Sequence, residues 1–309
     1  MIDLPRPLGP YLLEARLGTG GMAEVFLARA FGASGFEKQV VIKTLRAERV
    51  GEARLERMFL DEARLQARFR HRNLVQAHDL GVTDGRPWVR LDYVDGADLG
   101  SFHLPLPAPL AALVLAEIAL ALIVIHEARD DAGLPLAVVH RDVSPKNVLL
   151  SRLGEVKLAD FGIARATLLR EDTRAGVRKG TYAYMSPEQV RSQPLTPASD
   201  QFALATLAVE LFTGGRPFDG ATPLETMERI RAGAPSLDEV SPVLRPMLAR
   251  AFSVAPEARF ESMRALRGEL LQLTKPADEL ELAAWVQEQL SGGRAASAST
   301  PTTVHEDGA

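Results

Sequence analysis

Two carboxylates and an amide stand where chemistry on a phosphate would need them. Asp142 and Asn147 lie five residues apart in the polar loop HRDVSPKN, His140 to Asn147, and Asp160 ends the apolar run of VKLAD. Together they make an oxygen-donor set suited to magnesium, and a loop carboxylate also accepts a proton from a hydroxyl. The plainer reading, polar residues capping turns, accounts poorly for so dense a set.

A cation belongs with them. In QVVIKTL strand alternation puts Val41 and Lys43 on one face. An inward lysine calls for an anion, because burying an unpaired ammonium is costly. The helical stretch Glu52 to Phe69 offers Glu62, which falls within the apolar stripe Leu55, Met58, Phe59 and Phe69. Glu62 and Lys43 are each other's obvious partner; the alternative is two unrelated side chains that each reach solvent. In LGTGGMAEVFLAR, Gly18 and Gly20 form a turn between strands, where backbone N–H groups approach phosphate oxygens closely. Taken alone, that turn is equally a plain hairpin.

The elements that must position these groups follow from periodicity. From Tyr11 to about Leu91, short β-like runs (VFLARA, QVVIKTL, LVQAHDLGV, PWVRLDYV) alternate with glycine turns and enclose the one helical stretch, a small sheet with a single helix. Beyond DGADLG the pattern is helical: Leu110 to His126, Asp200 to Thr213, Pro223 to Ala232, Pro242 to Phe252, and again Asp278 to Leu290. A loop-rich stretch from His140 to Pro197 interrupts it. The fold class is α+β.

Composition narrows the classes. The chain has 309 residues, 46% of them apolar, enough for two lobes around a cleft. A net charge of -4 with interspersed arginine and glutamate gives no clustered positive field for nucleic acid. There is no cysteine, hence no disulfide framework or thiolate nucleophile. The amino terminus lacks a secretory pattern, and the longest apolar run, Leu110 to Ile125, is short for a membrane span and carries Glu117. A cytoplasmic protein with no membrane span is expected.

With these motifs assembled, the chain resembles a eukaryotic-type (Hanks-type) bacterial serine/threonine protein kinase over about Tyr11 to Leu273. The resemblance implies the bilobal protein-kinase fold, with ATP and magnesium as cofactors. It divides the chain into an extension (1–10), a small antiparallel sheet lobe with one helix (11–91), a hinge (92–95), a larger mainly helical lobe (96–273), a C-terminal helix (274–290) and a disordered tail (291–309). Residue by residue, Leu17, Gly18 and Gly20 belong to the glycine-rich loop, in which Ala23 replaces the usual third glycine. Lys43 contacts the α and β phosphates and pairs with Glu62, Asp142 is the catalytic base, and Asn147 and Asp160 hold magnesium. Val25 and Val41 cover the adenine from above and Leu149 from below. Leu91 is the gatekeeper, Asp92 and Val94 lie in the hinge, and Asp98 reaches the ribose. Glu188 pairs with Arg259, and Asp200 braces the catalytic loop.

One departure bears on activity. The lysine expected two residues past the catalytic Asp is Ser144, and Lys146 stands at a spacing resembling that of tyrosine kinases. A flexible ammonium reaches the γ-phosphoryl group from either position; the other reading of Lys146 is an ordinary exposed lysine. The segment GTYAYMSPE, with Thr181, resembles the peptide-positioning segment of serine/threonine kinases. Arg141 before the catalytic Asp implies a phosphate on the activation segment, with Thr167 and Thr173 as candidates, and autophosphorylation within a transient homodimer. Protein substrates with serine or threonine acceptors are therefore expected. A nucleotide-binding pseudokinase acting as a scaffold and a small-molecule kinase are the competing readings.

Overall fold

Alternation in the first part of the chain is realised as one six-stranded antiparallel sheet. Its strands are β1 (Arg6–Leu8), β2 (Tyr11–Thr19), β3 (Ala23–Phe31), β4 (Glu37–Leu45), β5 (Ala77–Thr83) and β6 (Arg86–Leu91), in the order β1-β2-β3-β4-β6-β5. The computed structural model describes residues 4–161 and 182–292. Helix α1 (Ala53–Ala67) packs on one face, where Val41, Leu45, Val89 and Leu91 meet Leu55, Phe59 and Ala63. The other face carries Val40, Ile42, Phe26 and Trp88, and Tyr11 meets Trp88 edge-on at 5.2 Å. Period-two alternation thus splits β4 between two cores and leaves Lys43 on the α1 face.

Two boundaries differ from the sequence reading. Arg6, Pro7 and Leu8 pair with Leu13, Leu12 and Tyr11, so part of the stretch read as an extension is an edge strand of the sheet. Leu74 to Gln76 lie outside β5, because Val75 donates its N–H to Leu158 O at 3.0 Å and ties this stretch to the larger lobe.

The larger lobe begins with β7 (Gly96–Asp98), which forms a three-stranded sheet with β8 (Val148–Ser151) and β9 (Val156–Leu158). Its helices, among the described residues, are α2 (Ala108–His126), α3 (Pro187–Val190), α4 (Pro197–Thr213), α5 (Pro223–Ala232), α6 (Arg245–Ala251), α7 (Met263–Leu273) and α8 (Glu279–Ser291). Helix α2 has 19 residues, longer than the apolar run suggested and long enough by composition to cross a membrane, yet most of it is buried inside the lobe. Its Glu117 accepts hydrogen bonds from Arg72 and Asn73 at 2.7 and 2.8 Å, which accounts for an acid inside an apolar helix. Helix α7 was absent from the sequence reading, although Met263, Leu266 and Leu270 are its buried stripe. The helix read from Pro242 begins at Arg245.

A buried ion pair fastens the lower part of this lobe. Arg259 meets Glu188 through two hydrogen bonds of 2.7 and 2.9 Å, and Ser199 Oγ donates to the same carboxylate at 2.7 Å. The Arg259 side chain is fully buried and also donates to the Ser253 and Ala198 carbonyls. Burial pushes the Glu188 carboxyl up, but Arg259 and Ser199 outweigh it and hold it below the ordinary glutamate value. Arg259→Ala is expected to lower the unfolding free energy by about 3–5 kcal/mol, the cost of stranding a buried carboxylate. Arg264→Ala, which removes only an exposed contact to Glu127, should leave the urea midpoint nearly unchanged; equal effects of the two substitutions would contradict this.

Candidate active site

Lys43 is the meeting point of the two lobes. From β4, opposite Val25 on β3 and Val89 on β6, its ammonium reaches Glu62 Oε1 of α1 at 2.8 Å and Asp160 Oδ1 beyond β9 at 2.7 Å. Only 8% of Lys43 is exposed. Burial pulls its pKa down, but the Asp160 and Glu62 carboxylates more than offset this and hold the ammonium protonated, above the ordinary lysine range. The expected Lys43–Glu62 contact is present, with Asp160 as a second acceptor contributed by the larger lobe.

The loop His140 to Asn147 is held by its backbone. Asp200, buried at the start of α4, accepts the His140 and Arg141 N–H groups at 2.8 and 2.9 Å and also bonds the His126 ring at 2.7 Å. Burial raises the Asp200 carboxyl, but the His126 hydrogen bond and charge lead the opposing effects and keep it below the ordinary aspartate value. Arg141 and Asp160 both adopt positive φ, 73° and 53°, a conformation that side-chain-bearing residues adopt only where their surroundings hold them. The Arg141 carbonyl accepts from Gln189 Nε2 at 2.9 Å, while its own buried Nε has no partner among the described residues. Fully buried His140 lies 5.2 Å from the Phe161 ring, which stacks on Phe69 at 5.4 Å. Burial lowers the His140 pKa and favours a neutral ring.

Asn147 and Asp160 suit a magnesium ion. Asn147 Nδ2 donates to the Asp142 carbonyl at 2.8 Å, which commits the amide nitrogen and leaves the amide oxygen available as a donor. Ala159 N–H donates to Asn147 O at 2.8 Å, binding the loop to the strand end that carries Asp160. Asp160 Oδ1 accepts from Lys43, and its other oxygen has no hydrogen bond among the described residues. Among the described residues no group of three His, Asp or Glu side chains could hold a metal, and magnesium held beside phosphates needs only one or two protein oxygens.

The surface expected to receive the adenine is apolar. Val41 and Leu91 are buried, and Val25, Val94 and Leu149 are half-buried members of the same cluster. Asp98 is paired in register with Leu149 and accepts from Ser101 Oγ at 2.9 Å. The Asp92 side chain bonds His78 at 2.6 Å and its N–H donates to Gln76 O at 3.0 Å, so Asp92 is engaged within the protein. Leu17 is half exposed on β2. A Cβ at Gly18 would meet nothing within 4 Å, and one at Gly20 would lie 3.6 Å from Ala23 O. Protein packing does not demand these glycines; a ligand approaching the backbone closely would. Lys146 is exposed and forms no ion pair among the described residues, and Ser144 is buried. Thr167, Thr173 and Thr181 lie outside the described residues.

Sequence reasoning missed three participants. His126 left no local signal, because its tie to Asp200 is purely tertiary. Gln189 was visible only as the last residue of a capping box with Ser186. Asn73 joins α2 to β9 by donating to Glu117 and to Val156 O.

This bilobal arrangement, with a paired lysine between the lobes and an Asp-Asn loop facing it, defines a protein kinase domain. The chain belongs to the protein kinase family, in its bacterial eukaryotic-type serine/threonine branch: residues 11–271 match the family described as "Protein kinase domain". It is 37% identical to the tyrosine-protein kinase MasK of Myxococcus xanthus, over 96% of this chain and 46% of MasK. It is 34% identical to the serine/threonine-protein kinase PknL of Mycobacterium bovis, over 88% of this chain and 67% of PknL. The crystal structure of the Mycobacterium tuberculosis PknI kinase domain superposes with a TM-score of 0.65 at 28% identity, covering 89% of this chain and 100% of that one. The chain thus spans less than half the length of MasK and about two thirds of PknL.

The His140 and Asp200 shifts have one sign. Both folded-state values are depressed, so His140 contributes its full stability above about 6.5, the ordinary histidine value, and loses it as pH falls through the lower folded value. Asp200 likewise contributes fully above about 3.8 and loses that contribution as pH falls through its lower folded value. Unfolding free energy is therefore expected to decline from pH 7 to 5, and His140→Phe to flatten that decline. An unchanged pH slope in the variant would contradict the neutral buried imidazole.

Proposed function

We propose that this chain is a serine/threonine protein kinase that transfers the γ-phosphoryl group of ATP to hydroxyls of protein substrates. The observation that carries the reading is the junction of Lys43 with Glu62 and Asp160, to which the loop of Asp142 and Asn147 is tied through Ala159. Lys43, kept protonated, would bind the α and β phosphates. The backbone at Gly18 and Gly20 would cover them. The adenine would lie between Val25 and Val41 on one side and Leu149 on the other, its edge at the hinge beside Leu91 and Val94, with Asp98 at the ribose. Asn147 and Asp160 would hold magnesium, which supplies positive charge against the phosphate oxygens. Asp142 would accept the proton of the attacking hydroxyl, and Lys146, free of ion pairs among the described residues, would balance charge on the moving phosphoryl group.

Regulation follows from Arg141. Its buried Nε, without a partner among the described residues, supports a role in receiving a phosphate on the activation segment, with Thr173 as first choice and Thr167 second, added in trans by a transient second copy. A cytoplasmic setting, and protein rather than nucleic-acid partners, fit the net charge of -4 and the burial of α2. Ser144 keeps the scaffold alternative in view. The position of Lys146, together with the name of the relative MasK, favours tyrosine acceptors as a second reading.

Purified protein incubated with ATP and magnesium, followed by mass-spectrometric site mapping, separates these readings. Phosphoserine and phosphothreonine are expected. Asp142→Ala should reduce kcat by at least about a hundredfold, and Lys146→Ala by about tenfold or more with KM for ATP nearly unchanged. Nucleotide binding without transfer in the unmodified protein would establish the scaffold, and a predominance of phosphotyrosine would establish the tyrosine reading.

A further inference from the structure

Helix α8 lies beyond residues 11–271, which match the kinase family, yet it is built into the lobe. A capping box starts it: Glu281 N–H donates to Asp278 and Asp278 N–H to Glu281, each at 2.9 Å. Leu282 and Val286 are fully buried in the main core, and Trp285 packs on Phe102 at 5.2 Å. Gly154, in the β8–β9 turn at φ 84°, admits the helix at backbone contact, since a Cβ there would fall 1.9 Å from Glu279 O. Such an approach is open only to glycine.

Two polar paths lead from α8 to the nucleotide site. The first runs to the hinge: Gln287 Nε2 donates to Arg152 O at 2.8 Å, and Arg152 N–H donates to Asp95 O at 2.8 Å. The second runs behind α1: Glu279 accepts from Arg72 Nη1 at 2.7 Å, while Arg72 Nη2 donates to Glu117 at 2.7 Å. Arg72 lies in the segment joining α1 to β5, and its carbonyl accepts from Lys157 Nζ at 2.9 Å. This segment follows the helix that carries Glu62.

We propose that α8 braces the nucleotide site from behind, with Arg72 and Arg152 as positioning residues that hold α1 and the hinge in the geometry the cleft requires. Neither residue touches the cleft groups themselves. The brace extends the family architecture to a helix that can be loosened from outside the cleft. It rests on the kinase reading only for its effect on nucleotide, not for its effect on the fold.

The test is the double variant Glu279→Arg/Gln287→Ala, which alters exposed side chains and leaves Leu282 and Val286 in place. Two quantities are measured: amide hydrogen exchange across residues 68–76 and 92–95, and affinity for a non-hydrolysable ATP analogue with magnesium. Faster exchange in both segments and an affinity weakened about two- to fivefold are expected, in keeping with the modest strength of exposed polar pairs. The unfolding midpoint should stay close to that of the parent. Glu279→Gln alone, which keeps a hydrogen-bond acceptor for Arg72, should recover most of the protection in 68–76. Exchange unchanged in both segments would overturn the brace, whatever the nucleotide result. Absence of nucleotide binding in the parent protein would instead count against the kinase reading, and the exchange data would still decide the brace.

Discussion

A buried ammonium between two lobes governs this structure. Lys43 sits in β4 with 8% of its surface exposed, and an unpaired charge there would be untenable. One compensating carboxylate, Glu62, requires α1 to lie against the sheet; the other, Asp160, requires the larger lobe to present the end of β9. A single side chain thus sets the position of a helix, a sheet and a loop relative to one another. Removing either acid would leave the ammonium under-compensated, and the geometry of the cleft would loosen with it.

Asp200 plays the equivalent part within the larger lobe. Its two oxygens receive two successive backbone N–H groups and a histidine ring, so the loop that carries Asp142 is held by its main chain. The positive φ of Arg141 is part of that arrangement. Backbone strain at a loop beside proposed phosphate-binding groups is maintained because buried hydrogen bonds over-determine it. Asn147 and Ala159 then join this loop to Asp160, and through it to Lys43, in one continuous set of contacts.

Much of this was legible in order along the chain. Strand alternation placed Val41 with Lys43, helical periodicity placed Glu62 on the inward face of α1, and the resemblance to protein kinases joined both to Asp142, Asn147 and Asp160. What stayed hidden depended on contacts across long separations. The Lys43–Asp160 contact, the seat of His126 against Asp200, and the docking of α8 on Gly154 have no local pattern. The edge strand Arg6–Leu8 was too short to show alternation, and α7 was obscured because its three buried residues are spaced among two arginines, a glycine and a glutamate. The length of α2 exposed the limit of composition: an apolar helix long enough to cross a membrane is, here, the centre of a protein core.

The role given to Lys43 is tested most directly by a crystal structure of the chain with magnesium and a non-hydrolysable ATP analogue. Expected is nucleotide between Val41 and Leu149, with Lys43 Nζ keeping Glu62, leaving Asp160 and contacting the α and β phosphates, and a magnesium ion on the Asn147 and Asp160 oxygens. Nucleotide bound elsewhere, or bound in the cleft with the Lys43–Asp160 pair intact and no metal on Asn147, would contradict it.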